Sequence, residues 1–99
     1  MKCKSYNLFF ETISHKMRLN IIELLRNESL TVNGISKKLN EEQSKVSHNL
    51  KKLKDCHFVE AKRKGKTILY SLNKGTILPL LNMVETHVEK HCKICGKLK

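Results

Sequence analysis

The sequence predicts a mainly helical domain in which four helices are followed by one β-hairpin and a fifth helix. Apolar residues recur every three or four positions through most of residues 5–55, the spacing with which a helix presents one apolar face. After Asp55 the apolar period falls to about two, and a turn containing a glycine separates two strands. With 99 residues and 39% hydrophobic content, the chain has the size of one domain with a modest core.

Three helices are expected before residue 40. The first spans about residues 5–13 and carries three of the five aromatic residues, which pack either on its own domain or on a dimer partner. The second runs from a Ser14 cap to about residue 27, and its apolar stripe belongs to the core. The third is shorter and runs from a Thr31 cap to Leu39.

The fourth helix, residues 40–55, is the element around which the chain is organised. Asn40 and Gln43 have the spacing of a capping box, in a variant led by asparagine. Its buried stripe is predicted to consist of Val46, Leu50 and Leu53. The opposite face is polar and basic, as in a helix that reads a DNA major groove, although a merely solvated face is the alternative interpretation. The short connection from the third helix predicts a helix-turn-helix.

A β-hairpin with a basic tip is expected next. Its strands are predicted at about residues 58–62 and 67–72, joined by a tight turn at Lys64-Gly65-Lys66, with Ile68, Tyr70 and Leu72 pointing inward. Four cations surround the single glycine, in positions to straddle a phosphate backbone or enter a minor groove. An ordinary solvated hairpin is the alternative. A hairpin behind a helix-turn-helix predicts the winged helix-turn-helix fold.

The last helix is expected from a Thr76 cap to about His91, with Pro79 in its first turn, where proline is tolerated. Its apolar stripe is longer than its own domain can cover. Together with the aromatic first helix it predicts a two-fold interface, so that a dimer joined through the first and last helices would place two recognition helices about one DNA turn apart.

The net charge of +11 predicts a polyanionic partner, because lysine and arginine gain free energy by displacing counterions from phosphates. Double-stranded DNA is the leading candidate. No apolar stretch is long enough to cross a membrane, and the first residues lack the features of a signal peptide, so a cytoplasmic protein with mostly reduced cysteines is expected.

An enzyme is not expected. The sequence contains no nucleophile triad, no paired carboxylates and no glycine-rich phosphate loop. Two other functions remain open. One is a thiol- or metal-carrying adaptor that docks an acidic partner through its charge, and the other is an RNA-binding winged helix, which would prefer an RNA hairpin to duplex DNA.

Four segments together resemble one known family. They are RLNIIELL at residues 18–25, LTVNGISKKL at 30–39, EEQSKVSHNLKKLKD at 41–55 and FVEAKRKGKTILYSL at 58–72. They resemble the ArsR family of winged-helix repressors, whose metal-sensing members are the best known. The resemblance implies a homodimer, joined through its first and last helices, that represses a promoter until a ligand releases it.

The chain also departs from the family pattern. Asn49 stands where the family usually has histidine, and Cys56-His57 where it has a small residue and glycine. Histidine is among the residues that tolerate the left-handed backbone which that glycine adopts. The metal-binding Cys-Val-Cys box on the third helix is replaced by LTVNG at residues 30–34, so that metal site is absent.

The expected DNA-binding residues lie on the fourth helix and the hairpin tip. The resemblance implies base and phosphate contacts from Gln43, Ser44, Lys45, Ser47 and His48. The charge pattern adds Lys51, Lys52, Lys62, Arg63, Lys64 and Lys66.

A second candidate site lies at the end of the chain. His87 and His91 stand one helical turn apart, and Cys92 and Cys95 have the C-x-x-C spacing that presents two thiolates to one metal ion, so zinc or another soft divalent metal is expected there. A redox-active thiol pair or an inert tail are the alternatives. The chain is accordingly expected to consist of a winged helix-turn-helix DNA-binding and dimerisation domain, residues 1–91, and a basic tail that contains Cys92 and Cys95, residues 92–99. Cys56 is expected to be a small buried side chain rather than a ligand.

Overall fold

The structure is a computed structural model that describes residues 6–91. The order and type of the elements confirm the prediction, with five helices and one antiparallel hairpin in these residues. The elements are α1 (Tyr6–Ile13), α2 (Lys16–Leu25), α3 (Val32–Leu39), α4 (Gln43–Asp55), β1 (Val59–Lys64), β2 (Thr67–Leu72) and α5 (Ile77–His91). No helix in this part of the chain is long and apolar enough to cross a membrane.

The core lies where α2, α3 and α4 meet the base of the hairpin. Each element contributes its apolar stripe, and Phe58, just before β1, is the largest fully buried side chain. The Phe9 ring of α1 packs edge-on against Phe58, with 4.9 Å between the ring centroids. The fully or nearly fully buried apolar residues are Ile21, Ile22, Leu25, Ile35, Val46, Leu50, Leu53, Phe58, Val59, Leu72 and Ile77. Burial of this set is the main stabilising contribution to the fold.

The hairpin is attached at its base and free at its tip. Val59 pairs with Leu72 at the base and Lys64 with Thr67 next to the turn, where Gly65 adopts a left-handed backbone with φ of 61°. Leu30 and Tyr70 exchange two backbone hydrogen bonds of 3.0 and 2.8 Å, which join β2 to the segment before α3. Ile68, predicted to point inward, is 42% exposed because the strands extend past the core.

Two predicted helix caps differ in the structure. Ser14 does not cap α2, because its backbone N–H bonds the Phe10 carbonyl at 2.9 Å and so completes the last turn of α1. His15 takes the cap position instead, without a side-chain hydrogen bond. The Thr31 cap is confirmed, since its hydroxyl accepts from the Gly34 N–H at 3.1 Å.

Asn40 ends α3 rather than beginning α4. Its backbone is left-handed, with φ of 55°, a conformation that asparagine tolerates better than most residues. The connection to α4 is therefore longer than predicted, and Glu42 is the residue that precedes α4, with no side-chain cap bond. At the other end of α4, His57 has a φ of 62°, so the expected left-handed histidine is confirmed.

Part of α1 and α5 exposes apolar surface. Tyr6 is 85% exposed, Phe10 56%, Met83 72% and Val84 49%. At its N-terminal end α5 contributes Ile77 to the core, and near its middle Arg26 from the end of α2 donates to Glu85 and, at 2.9 Å, to the Asn82 side-chain oxygen. The hydrogen bond to Glu85 is the largest effect that raises the pKa of Arg26. These contacts hold α5 on the domain while leaving Met83 and Val84 exposed.

Candidate nucleic-acid interface

The two faces of α4 differ sharply in burial. Its buried residues are Val46, Asn49, Leu50 and Leu53. The predicted DNA-binding residues of this helix are all exposed, and they are Gln43, Ser44, Lys45, Ser47, His48, Lys51 and Lys52. Three lysines and no carboxylate belong to this exposed set, which gives the outer face a positive charge. The inner stripe thus fixes the helix to the domain and leaves a continuous polar face available for contact.

A polar pair at the N-terminal end of this face joins the two helices of the helix-turn-helix. The Gln43 carboxamide nitrogen donates to the Asn33 side-chain oxygen on α3 at 3.0 Å. Both residues are exposed. Gln43 was expected to reach back and cap α4, but its side chain bonds Asn33 instead. Asn33 was not among the predicted site residues, because its partner lies ten positions away and no local pattern indicates the contact.

Asn49 is a polar residue in the core-facing stripe of α4 and is only 7% exposed. Its side-chain oxygen accepts from the Arg18 Nε at 3.0 Å, and its nitrogen donates to the Lys45 carbonyl at 2.9 Å and the Met17 sulfur at 3.1 Å. Arg18 also donates to the Thr12 carbonyl at 3.0 Å. All of the hydrogen-bonding atoms of this buried amide thus have partners, and one guanidinium connects α1, α2 and α4.

The hairpin tip carries the second group of predicted DNA-binding residues. Lys62, Arg63, Lys64 and Lys66 are all exposed. The Thr67 hydroxyl donates to the Lys64 carbonyl at 2.9 Å, and the Arg63 Nε donates to the Gly65 carbonyl at 3.3 Å. These two bonds hold the turn that presents four cations within five positions. A cationic turn of this kind has the charge and shape to contact a phosphate backbone.

The predicted metal ligands are only partly within the described residues. His87 and His91 are exposed on one face of α5, with ring centroids 5.1 Å apart. Cys92 and Cys95 lie outside the described residues, as does the predicted boundary to a tail at residues 92–99. Within residues 6–91 no group of three or more histidine, cysteine or acidic side chains is close enough to hold a metal ion. The two histidines therefore form at most half of a site.

Cys56 lies at the C-terminal end of α4. It is half-buried and packs against the core, and its sulfur is 3.8 Å from the Thr12 hydroxyl on α1. It is disulfide-bonded, whereas the sequence analysis expected the cysteines to be mostly reduced.

Comparison with known proteins identifies the family. The model of the arsR family of bacterial regulatory proteins matches residues 15–61, which include α2, α3, α4 and the start of β1. The chain is 34% identical over 79 residues to the HTH-type transcriptional regulator NmtR of Mycobacterium tuberculosis, covering 80% of this chain and 66% of NmtR. The match thus spans slightly less than two thirds of that relative.

Solved structures agree with the sequence matches. The crystal structure of Rv0081 from M. tuberculosis superposes with a TM-score of 0.77 at 29% identity and covers 83% of both chains. A solution structure of Mb0332 from Mycobacterium bovis, described as a homodimeric winged helix-turn-helix DNA-binding domain of a possible ArsR-family regulator, gives 0.73 at 27% identity, covering 83% of this chain and 80% of that one. The matching family model describes regulatory proteins and not enzymes. The chain belongs to the ArsR family of bacterial regulatory proteins.

Proposed function

We propose that this protein is a cytoplasmic, homodimeric transcriptional repressor that binds operator DNA in a sequence-specific manner. The observation that carries the proposal is the combination of an exposed polar and basic face on α4 with an exposed basic hairpin tip. An exposed helix of this polarity fits a major groove, and cations beside it add sequence-independent attraction to phosphates.

The two groups of residues have different tasks in this proposal. Gln43, Ser44, Ser47 and His48 carry the hydrogen-bonding groups that read base edges or phosphates along the groove, while the lysines of α4 neutralise phosphates. The cations of the hairpin tip contact the flanking backbone or minor groove. Base contacts supply the specificity, and the larger number of phosphate contacts supplies much of the affinity.

A second copy of the chain is the proposed partner of the apolar surface on α1 and α5. Tyr6 and Phe10 on α1 and Met83 and Val84 on α5 are exposed, and exposed apolar side chains on two helices favour an interface. The description of Mb0332 as homodimeric supports a dimer, without specifying which helices join it. A two-fold dimer would present two copies of α4 to a palindromic operator.

Zinc or another soft divalent metal is the proposed ligand that controls binding, through His87, His91, Cys92 and Cys95. The support is the pair of imidazoles one turn apart on α5, the helix proposed for dimerisation. Imidazole nitrogens and thiolates are the donors that such metals prefer, and a metal bound on α5 would act on the dimer and through it on DNA affinity. Oxidation of the thiol pair is the alternative control.

Binding to the upstream promoter duplex, measured by fluorescence anisotropy against a scrambled duplex at physiological salt, tests the proposal. A preference of about a thousandfold or more is expected of a specific regulator. Lys45→Ala should weaken binding to both duplexes, while Lys74→Ala serves as a matched control because Lys74 follows β2, at the opposite end of the hairpin from its tip. Equal and steeply salt-dependent binding to both duplexes would contradict the proposal and indicate only a general attraction to polyanions.

A further inference from the structure

We propose that Asn33 is a positioning residue that orients the carboxamide of Gln43 and thereby makes Gln43 select adenine over guanine. The inference rests on the proposed function, because it assumes that α4 lies in a major groove. It adds a residue on α3, outside the recognition helix, that determines specificity. The observation behind it is the 3.0 Å hydrogen bond from the Gln43 Nε2 to the Asn33 Oδ1.

The position of the pair makes this bond relevant to base reading. Gln43 is the first residue of α4, and the N-terminal residues of a recognition helix are those that contact base edges. Asn33 is the second residue of α3, and its backbone is fixed by the Thr31 cap, which bonds the next residue, Gly34, at 3.1 Å. The acceptor of the bond is therefore held by a well-formed helix end, while the donor lies at the edge of the polar face.

The bond restricts what Gln43 can offer to a base. A free glutamine amide has two N–H donors and one acceptor oxygen, and it can rotate to present either both donors or one donor with the oxygen. When one N–H is given to Asn33, one N–H and the Oε1 remain for DNA. This donor and acceptor match adenine, which offers N7 as acceptor and the N6 amino group as donor. Guanine offers two acceptors, N7 and O6, and leaves the Oε1 without a donor.

A purely structural role of the pair predicts a different result. A surface hydrogen bond that only ties α3 to α4 contributes modestly to stability, and its loss would weaken all DNA complexes alike. Orientation of Gln43 instead changes the ratio of the affinity for the adenine-containing duplex to that for the guanine-containing duplex. Base preference is therefore the readout, because a small change in stability leaves it unaltered.

The experiment enriches binding duplexes from a random pool and then measures dissociation constants for the enriched site and for the same site with each adenine–thymine pair changed to guanine–cytosine. The proteins are the wild type, Asn33→Ala, Asn33→Asp, Gln43→Ala and, as a matched control that removes an exposed carboxamide elsewhere, Asn27→Ala. Thermal unfolding checks that each variant is folded.

At one base pair of each half-site we expect the wild type and Asn27→Ala to prefer adenine by about tenfold or more. Gln43→Ala should lose this preference, and Asn33→Ala should lose most of it. Asn33→Asp should keep it while binding all duplexes more weakly, because its carboxylate still accepts the Gln43 N–H but repels phosphates. An unchanged adenine preference in Asn33→Ala would overturn the inference while leaving the proposed function intact. Failure of the wild type to enrich any motif would overturn both.

Discussion

The Arg18 guanidinium donates to the buried side-chain oxygen of Asn49 at 3.0 Å, joining α2 to the inner face of α4. The same guanidinium donates to the Thr12 carbonyl of α1 at 3.0 Å. The resemblance to the ArsR family leads one to expect histidine at position 49, whereas this chain supports α4 there with an amide. One charged side chain thus fixes three helices at the base of the proposed DNA-binding surface.

Removal of the Arg18 guanidinium should lower the stability of the fold. We expect Arg18→Met to lower the free energy of unfolding by about 1–3 kcal/mol, because it leaves the oxygen of the buried Asn49 amide unsatisfied. The double variant Arg18→Met/Asn49→Leu should lose less unfolding free energy than the sum of the losses in the two single variants, since it removes both polar partners. Urea unfolding of the four proteins measures this coupling, and strictly additive effects would contradict the interpretation.

Removal of single cations should change the salt dependence of DNA binding. Lys45→Ala on α4 and Lys64→Ala on the hairpin tip should each lower the slope of log affinity against log salt by about one, because each proposed phosphate contact releases about one counterion. Titrations of one duplex at several salt concentrations give the slope. Lys74→Ala should leave it unchanged, and an unaltered slope in Lys64→Ala would remove the hairpin tip from the interface.

A charge on the exposed apolar face of α5 should dissociate the dimer. Met83 is 72% exposed, so Met83→Lys should leave the fold intact while placing a charge that is costly to bury in the proposed interface. Analytical ultracentrifugation should show a shift from dimer to monomer, with an unchanged circular dichroism spectrum. Ile68→Lys is the matched control, because Ile68 is also exposed but lies on the hairpin. A Met83→Lys protein that stays dimeric would place the interface elsewhere.

Zinc binding should depend on the histidine pair of α5. His87→Gln/His91→Gln removes two of the four proposed ligands and should weaken zinc binding by at least about a hundredfold, because structural zinc sites use four protein ligands. Competition against a zinc-binding dye under reducing conditions measures the affinity. His15→Gln, which changes an exposed histidine outside α5, should bind zinc like the wild type. Equal affinity in all three proteins would exclude these histidines as ligands.

Several features could be predicted because they depend on near neighbours in the chain. The Thr31 cap is determined within about four residues, and the left-handed backbone at His57 was expected from the glycine that the resemblance implies at this position. The prediction that Asn40 caps α4 was wrong, although it also rested on near neighbours. Asparagine is favoured both at the start of a helix and in the left-handed conformation that ends one. The packing of α3 against α4 decided between the two.

The candidate site likewise combines features that local sequence predicts with contacts that only packing between helices creates. Exposure of the lysines on α4 and at the hairpin tip could be predicted, because apolar periodicity assigns the opposite face to the core. The partners of Gln43 and Asn49 could not, since Asn33 is ten and Arg18 thirty-one positions away. The burial of Asn49, a polar residue, depends on the Arg18 guanidinium that α2 supplies to its side-chain oxygen.

The sequence by itself determined the order of the elements, the charge of the proposed DNA-binding face and the family, because periodicity, composition and motif spacing are properties of the chain. The tertiary structure alone decided where α4 begins, which side chain holds Gln43 and how the buried amide of Asn49 is satisfied. The physical reason is that hydrogen bonds between helices form only after apolar burial has set the distance between them, and that distance is not encoded in any local pattern.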